Sequence, residues 1–160
     1  MGSGLRLNPT GHTPVLYDTL LAKLSLGPGG HVIDGSLGGA GHALGLLQAI
    51  APDGRLLGLD RDPEAVARAQ ERLAILSERA ILVQSSFREL KAVARKHRFP
   101  PADGILLDLG VSSYQLASPE RGFSFVKVGP LDMRFDPSQG PSAAELVNNL
   151  PVEELAEILY

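Results

Sequence analysis

Four short apolar runs alternate with longer amphipathic segments along the first two thirds of the chain. The runs occupy residues 32–33, 56–59, 80–83 and 104–107, and the segments between them carry apolar residues at helical spacing. Short apolar runs favour buried strands, and recurrence every three or four residues favours helices. Strands that alternate with helices predict an α/β fold, in which a parallel sheet of about four strands is covered by flanking helices.

The sequence also marks where several of these helices begin. Pro14 suits the first turn of a helix whose leucines recur at helical spacing. Asp62 followed by Pro63 is a candidate cap for the helix after the second strand. Ser86 and Glu89 have the spacing of a capping box, which predicts a further helix after the third strand.

A glycine-rich turn follows the first predicted strand. That strand ends in Asp34, and the next one ends in Asp60; the glycines between them are Gly35, Gly38, Gly39 and Gly41. Glycines permit tight turns and let a ligand approach the backbone. An acid roughly 20 residues beyond such a turn can accept hydrogen bonds from ribose hydroxyls. The unit therefore predicts a site for a nucleotide-like cofactor, and a turn that binds no ligand is the alternative.

The details of the turn narrow the choice of cofactor. A dinucleotide site has the pattern G-x-G-x-x-G/A, but Leu44 stands where Gly39 and Gly41 would require a small third residue. No Gly-Lys-Ser/Thr follows the strand, which argues against a phosphate-binding P-loop. An acid, several glycines and a second acid at the end of the next strand are typical of S-adenosylmethionine methyltransferases.

Acidic residues end three of the four predicted strands. Ligands of parallel sheets bind beyond the carboxyl ends of the strands, where Asp34, Asp60 and Asp108 would meet. Three neighbouring carboxylates repel one another and lose solvation, so stability does not explain them. A cationic ligand that carries a ribose does, and S-adenosylmethionine has both a sulfonium and an ammonium group.

Three further features each have two interpretations. Phe87 follows the third strand, where it either covers an adenine face or packs in the core. His12 either reaches the site or is a capping or exposed residue. The basic residues within 91–98 form either a solvated helix face or an RNA-binding patch.

Composition limits the remaining possibilities. The net charge of −3 gives no electrostatic signature of nucleic-acid binding, so RNA contacts would come from a local patch or from elsewhere. The absence of cysteine excludes disulfides, thiol nucleophiles and thiolate zinc sites, and four scattered histidines do not predict a metal site. No apolar run reaches the roughly 20 residues of a membrane span, so a cytoplasmic location is expected.

Residues 109–134 form a long predicted loop that is rich in Gly, Ser and Pro. Loops of this length in compact domains are usually functional or disordered. Aromatic residues and arginines such as Arg121 and Arg134 are embedded in it, and these residue types stack on bases and contact phosphates. The loop is therefore predicted to be functional.

Several motifs together resemble the MraW/RsmH family of bacterial 16S rRNA cytosine-N4 methyltransferases. They are HTPVL, DGSLGGAGH, LGLDRDPEA, DGILLDLGVSS, RGFSF and GPLDMRF, and they run from His12 towards the end of the chain. The resemblance implies a Rossmann-like class I methyltransferase fold with S-adenosylmethionine as cofactor. It also implies methyl transfer to the exocyclic amine of a cytidine in the decoding region of the small ribosomal subunit.

The resemblance also implies a set of cofactor contacts. Tyr114 departs from the family by replacing a usual proline, Phe135 replaces a common methionine, and Ala40 with Gly41 replaces a glycine pair. The implied cofactor contacts are Gly39, Ala40, Gly41, His42, Asp60, Phe87, Asp108 and Gln115.

The catalytic residues are a hypothesis based on the chemistry of the target amine. The N4 amine of cytosine is a weak nucleophile, so an enzyme must flip the base out, align the amine and accept its hydrogen bond. The Asp/Asn-Pro-Pro-Tyr/Phe motif of many amino-methyltransferases is replaced here by residues 108–111, Asp-Leu-Gly-Val. We expect Asp108 to lie closest to the transfer centre and Ser112, Ser113 or Asp132 to orient the amine.

The family is about twice as long as this chain, so we expect an N-terminal fragment with little methyltransferase activity of its own. Residues 1–111 would form the cofactor-binding half-domain, and residues 112–160 the loop and the start of an inserted helical domain. An unpaired edge of the fourth strand, or the helices after Pro141, would favour a homo-oligomer. A nicotinamide oxidoreductase and a scaffold module without chemistry are the alternatives.

Overall fold

The computed structural model describes residues 16–159, so the predictions for His12 and Pro14 lie outside the described residues. Its strands are β1 (His31–Asp34), β2 (Arg55–Asp60), β3 (Ala80–Gln84) and β4 (Gly104–Leu106). Its α-helices are α1 (Tyr17–Leu24), α2 (Gly41–Ala49), α3 (Pro63–Arg72), α4 (Leu90–Lys96), α5 (Ser113–Ala117), α6 (Ala143–Asn149) and α7 (Val152–Leu159). Short 3-10 helices span Ala74–Arg79, Phe87–Glu89 and Pro119–Arg121.

The four strands form one parallel sheet in the order β3-β2-β1-β4. Asp34 pairs in register with Gly58 of β2 and with Leu106 of β4. The predicted α/β fold with four parallel strands and flanking helices is therefore confirmed. Because all strands run the same way, the loops that leave their carboxyl ends converge at one edge.

Apolar side chains fill both faces of the sheet. On one face Val32 and Leu56 pack with α2 and α3, and the leucines of α1 lie against this cluster. On the other face Ile33, Leu57 and Leu59 pack with Val93 and Phe99. Successive residues of a strand point to opposite faces of the sheet, and both faces are buried. Each strand is therefore a continuous apolar run in the sequence.

Side-chain caps set the helix boundaries that the sequence predicts. The Asp62 carboxylate accepts from the amide of Glu64, and Pro63 opens α3. Ser86 accepts from the amide of Arg88 and begins the 3-10 helix Phe87–Glu89, so α4 begins only at Leu90 and the expected capping box with Glu89 is not formed. The basic side chains of α4 and the residues after it are mostly exposed, in keeping with a solvated face.

The chain beyond β4 is organised differently from the sheet. Between β4 and α6 it contains only α5 and one short 3-10 helix, and neither α6 nor α7 has a buried residue. Ile105 on the edge strand β4 is 52% exposed. No helix among residues 16–159 has the length and apolar character needed to cross a membrane.

Candidate functional site

A cavity of about 380 Å³ lies at the edge where the carboxyl ends of the strands meet. All four strands supply it with residues from the loops that follow them, and the chain beyond β4 adds a further wall. The lining residues are Gly35, Ser36, Gly38, Asp60, Arg61, Ala65, Ser86, Phe87, Arg88, Asp108, Leu109, Gly110, Val111, Ser112, Gln115 and Phe135.

Close packing explains two glycines of the turn after β1. A Cβ on Gly35 would lie 2.5 Å from Cδ2 of Leu107, and one on Gly39 would lie 2.9 Å from Cε2 of Tyr114. Arg72 of α3 donates to the carbonyl of Gly39 at 2.6 Å. Leu107, Tyr114 and Arg72 thus hold the turn in place, and Gly35 and Gly38 also line the cavity.

Asp60 connects the turn to the second strand. Its carboxylate accepts from the amides of Gly38 and Asp62, each at 2.9 Å, and it lines the cavity. Burial is the main cause that raises the pKa of Asp60, and these two hydrogen bonds act against it. Since a carboxylate can accept about four hydrogen bonds, Asp60 retains acceptor capacity for a ligand hydroxyl.

Asp34 is the most unusual ionisable group near the site. It is fully buried, one oxygen accepts from the amide of Ser36 at 3.0 Å, and Oδ2 has no hydrogen-bond partner. Burial raises the pKa of Asp34 to about 7, and the negative charges of Asp60 and Asp108 add to the shift. Asp34 is not among the lining residues, whereas Gly35 and Ser36, which follow it, line the cavity.

Phe87 and Asp108 both line the cavity with accessible side chains. Phe87 is 42% exposed, which favours a ligand-covering role over a place in the core. The Asp108 side chain is 54% exposed, and its Oδ2 lies 3.7 Å from Nδ1 of His42. The amide of Asp108 donates to the Ser36 hydroxyl at 2.6 Å, which joins the loops after β1 and β4.

Several predicted site residues lie outside the cavity lining. Ala40 adopts the left-handed conformation with φ of 56° and is fully buried, and His42 is 6% exposed. Gly39 and Gly41 are also absent from the lining, as are Ser113 and Asp132. Asp132 is held by both Nε and Nη2 of Arg134, and this pairing lowers its pKa.

Ser112 and Gln115 line the cavity but also have structural partners. The Ser112 hydroxyl accepts from the amide of Gln115, and the Gln115 side chain accepts from the amide of Ser112, which forms a capping box for α5. Gln115 is 4% exposed and donates to Asp62. These bonds fix both side chains at the cavity wall.

The sequence analysis did not identify the ion pair between Asp62 and Arg121. Arg121 is 4% exposed and bonds Asp62 at 2.9 Å, so its guanidinium is engaged inside the protein. A helix cap and a loop arginine 59 residues apart give no local signal of pairing. Their proximity follows only from the way the long loop folds back on α3.

Comparison with known proteins identifies the group to which the chain is related. The model of the MraW methylase family matches residues 9–160. The chain belongs to the MraW methylase family. This membership confirms the resemblance drawn from the motifs.

Two curated relatives of this family member are named ribosomal RNA small subunit methyltransferase H. The protein from Syntrophobacter fumaroxidans is 48% identical over 149 residues, which cover 93% of this chain and 47% of the relative. The protein from Citrifermentans bemidjiense is 50% identical over 148 residues, which cover 92% of this chain and 47% of the relative. The MraW-family chain therefore spans about half the length of these relatives.

A solved structure supports the fold alone. The crystal structure of a proposed rRNA methylase from Clostridium thermocellum superposes with a TM-score of 0.51 at 20% identity, covering 60% of this chain and 50% of that one. Together with the parallel sheet, this similarity shows that the MraW-family chain has a Rossmann-like fold.

Proposed function

We propose that the cavity at the sheet edge binds S-adenosylmethionine. One observation carries the proposal: four residues from different parts of the chain all line the same cavity, namely Asp60, Phe87, Asp108 and Gln115. Its volume of about 380 Å³ lies within the range typical of cofactor sites. The family membership supports the same conclusion.

Each of these residues has a role that suits one part of the cofactor. Asp60 accepts from the ribose hydroxyls, since its two protein bonds leave acceptor capacity. Phe87 covers a face of adenine with its exposed ring. The negative charge of Asp60 and Asp108 attracts the cationic methionine end.

We further propose that the longer protein to which this chain corresponds methylates N4 of a cytidine in the decoding region of 16S rRNA. S-adenosylmethionine supplies an electrophilic methyl group on sulfur. The amine nitrogen would form a bond to that methyl while the carbon–sulfur bond breaks and its electron pair stays on sulfur. The amine proton would leave to the group that accepts the hydrogen bond of the amine. The small ribosomal subunit would be the partner, which places the protein in the cytoplasm.

Among the predicted catalytic residues, Asp108 is the best placed to accept a hydrogen bond from the amine. It lines the cavity and its side chain is 54% exposed. The Ser112 hydroxyl caps α5, and the Asp132 carboxylate is bound by Arg134. We therefore propose that these two residues support the structure around the site and do not contact the amine themselves. Ser113 is exposed at the start of α5 and remains a candidate for orienting the amine of the target cytidine.

The division into a cofactor half at 1–111 and a substrate-recognition part at 112–160 is part of the same proposal. It is supported by the contrast between the packed sheet and the loop-rich chain beyond β4. Gln115 and Phe135 nevertheless line the cofactor cavity, so the second part also contributes to the first site.

We propose that this chain associates through the edge of β4. Ile105 and Leu107 are 52% and 43% exposed, and an unpaired apolar edge tends to recruit another strand. Light scattering at high concentration should give a mass above that of a monomer. A monomer would contradict the proposed association and leave the proposed cofactor site unaffected.

Calorimetric titration of the chain with S-adenosylmethionine and with S-adenosylhomocysteine tests the cofactor site. Phe87→Ala should weaken binding by about tenfold, since stacking of one base on an aromatic ring contributes about 1–3 kcal/mol. Asp60→Asn should also weaken binding. Asp103→Asn is the matched control, because Asp103 accepts from the His31 amide at 2.7 Å near the opposite end of the sheet.

The outcomes separate the alternatives. Binding that Asp60→Asn and Phe87→Ala weaken, and Asp103→Asn does not, would support the site. Quenching or enhancement of NADH fluorescence on mixing would instead favour the nicotinamide alternative. Failure of the folded parent chain to bind any adenosine ligand would favour a scaffold module.

The role of Asp108 requires the longer protein. Asp108→Ala, introduced at the matching position of a full-length relative, should lower kcat by at least about 100-fold, as expected for loss of a group that acts on a transferred proton. Methyl incorporation into small-subunit rRNA is the measurement. Retention of most of the activity would show that another group accepts the hydrogen bond of the amine.

A further inference from the structure

A buried arginine joins the long loop to the helix that follows the second strand. Arg121 and Asp62 are 4% and 0% exposed, and Nη1 of Arg121 lies 2.9 Å from Oδ2 of Asp62. Nε2 of Gln115 donates to the same oxygen at 2.8 Å. Two side chains that come from the loop thus converge on one carboxylate.

The other side of the Arg121 guanidinium bonds a separate part of the loop. Its Nη2 donates to the carbonyls of Arg134 and Phe135 at 3.1 and 2.9 Å. The ring of Phe135 also lies 5.5 Å from that of Phe123. A planar guanidinium suits this arrangement because its donors have a fixed geometry.

The residues held in this way form one wall of the cavity. Gln115 and Phe135 both line it, whereas Arg121 and Asp62 do not. Asp62 also donates its amide to Asp60, so the buried ion pair lies two residues from the carboxylate proposed to bind ribose. Arg121 therefore connects the sheet-derived side of the cavity to the loop-derived side.

We infer that Arg121 is a positioning residue for cofactor binding: it holds Gln115 and Phe135 against the cavity through Asp62 and two loop carbonyls. The inference rests on the proposed function. A side chain that does not line the cavity thus sets the position of the wall formed by Gln115 and Phe135. Substitution of Arg121 should release that wall and weaken cofactor binding, although every residue proposed to contact the cofactor keeps its side chain.

The test is the affinity of Arg121→Met for S-adenosylhomocysteine, measured by calorimetry well below the unfolding midpoint of each variant. We expect a Kd about tenfold or more above that of the parent chain, in line with the loss of several charge-assisted hydrogen bonds. Arg121→Lys should fall between the two, because an ammonium can pair with Asp62 but cannot reproduce the planar set of bonds.

Arg79→Met is the matched control for a merely structural effect. Arg79 also bonds two backbone carbonyls, those of Leu47 and Gly54, and it does not line the cavity. We expect this variant to lower the unfolding midpoint while leaving Kd within about twofold of the parent value. If Arg121→Met does not fold, the double variant Asp62→Asn with Arg121→Met removes the unpaired charge and should show the same loss of affinity.

The possible results separate this inference from the proposed function. A parent chain that does not bind either form of the cofactor overturns both. A parent chain that binds, with Arg121→Met or the double variant binding equally well, overturns only the role of Arg121. An equal loss of affinity in Arg79→Met would also overturn it, because the effect would then follow from stability alone.

Discussion

Two aspartates lie fully buried in two regions of this molecule, and their surroundings differ. Asp62, where the long loop meets α3, accepts from Gln115, Arg121 and the amide of Glu64. Asp34, at the end of β1, accepts from the amide of Ser36, and its Oδ2 has no partner.

The difference indicates what each carboxylate does. Asp62 has the partners that a buried charge requires, so it serves to join two parts of the chain. Asp34 has no cation beside it among residues 16–159, and its nearest charged neighbours include Asp60 and Asp108. A buried carboxyl group with a strongly raised pKa, close to a ligand cavity, is typical of a binding or catalytic site.

The largest expected effect comes from removing the partnered aspartate. Asp62→Ala should lower the free energy of unfolding by about 3–5 kcal/mol, because it leaves the buried Arg121 guanidinium with the exposed Glu64 carboxylate, 3.4 Å from Nη1, in place of a buried counter-ion. Loss of the α3 cap adds to the effect. Urea unfolding at neutral pH measures it.

Asp53→Ala is the control for this change, since Asp53 is exposed in the loop before β2. It should alter the free energy of unfolding by less than about 0.5 kcal/mol. Similar losses for both variants would mean that the buried pair does not hold the loop to α3.

Replacing Asp34, whose Oδ2 has no partner, should have the opposite effect on stability. The pKa of Asp34 in the folded chain is about 7, above the ordinary value of 3.8, so the folded state holds the proton more tightly than the unfolded state. The resulting stability is fully present below about pH 4 and is lost as pH rises through about 7. Asp34→Asn, which cannot ionise, should therefore stabilise the chain at pH 8 by up to about 4 kcal/mol.

The gain should shrink at pH 5, where Asp34 of the parent chain is mostly protonated. Thermal unfolding at both pH values measures the difference in stability between the parent chain and Asp34→Asn. Asp103→Asn is the control, because Asp103 is exposed. A stabilisation of the same size at pH 5 and pH 8 would contradict the assignment of the raised pKa to this carboxyl.

A third comparison concerns apolar packing in the two regions. Leu57 is fully buried in the sheet, whereas Leu116 in α5 is 44% exposed. Leu57→Ala should cost about 3 kcal/mol and Leu116→Ala less than about 1 kcal/mol in the free energy of unfolding. Equal costs would show that the chain beyond β4 is packed as firmly as the sheet.

The smallest effect is expected at the turn itself. Ala40 has a φ of 56° and is fully buried. Ala40→Gly relieves a backbone cost of about 1–2 kcal/mol but removes a buried methyl that contributes about 0.8 kcal/mol. The net change in the free energy of unfolding should stay within about 1 kcal/mol, and a larger loss would show that the methyl is essential to the packing of α2.

The sequence predicts the sheet well because each strand is defined by local pattern. The four apolar runs correspond to β1 to β4, and Asp62 with Pro63 marks the start of α3. The sequence also predicts that three aspartates lie at one edge of the sheet, because they follow or end strands that run in parallel. These are Asp34, Asp60 and Asp108. Periodicity and capping are short-range signals, so they can be read without tertiary information.

The chain beyond β4 is predictable only in part, because its contacts are long-range. The pairing of Arg121 with Asp62 depends on how the loop folds back, and a phosphate-binding arginine has the same sequence appearance. The positive φ of Ala40 is equally invisible, since alanine gives no signal of a left-handed conformation. Local pattern therefore predicts the elements, while the polar contacts between them require the structure.

The strand order has a consequence for how such a domain can diversify. A parallel sheet is extended by adding strands at an edge, and here β1 lies between β2 and β4, with β4 at one margin. Asp60 ends β2 and Phe87 follows β3, and both strands lie on the other side of β1 from that margin. An insertion after β4 can therefore lengthen the sheet without disturbing Asp60 and Phe87. It must, however, preserve the loop that brings Asp108, Gln115 and Phe135 to the same cavity.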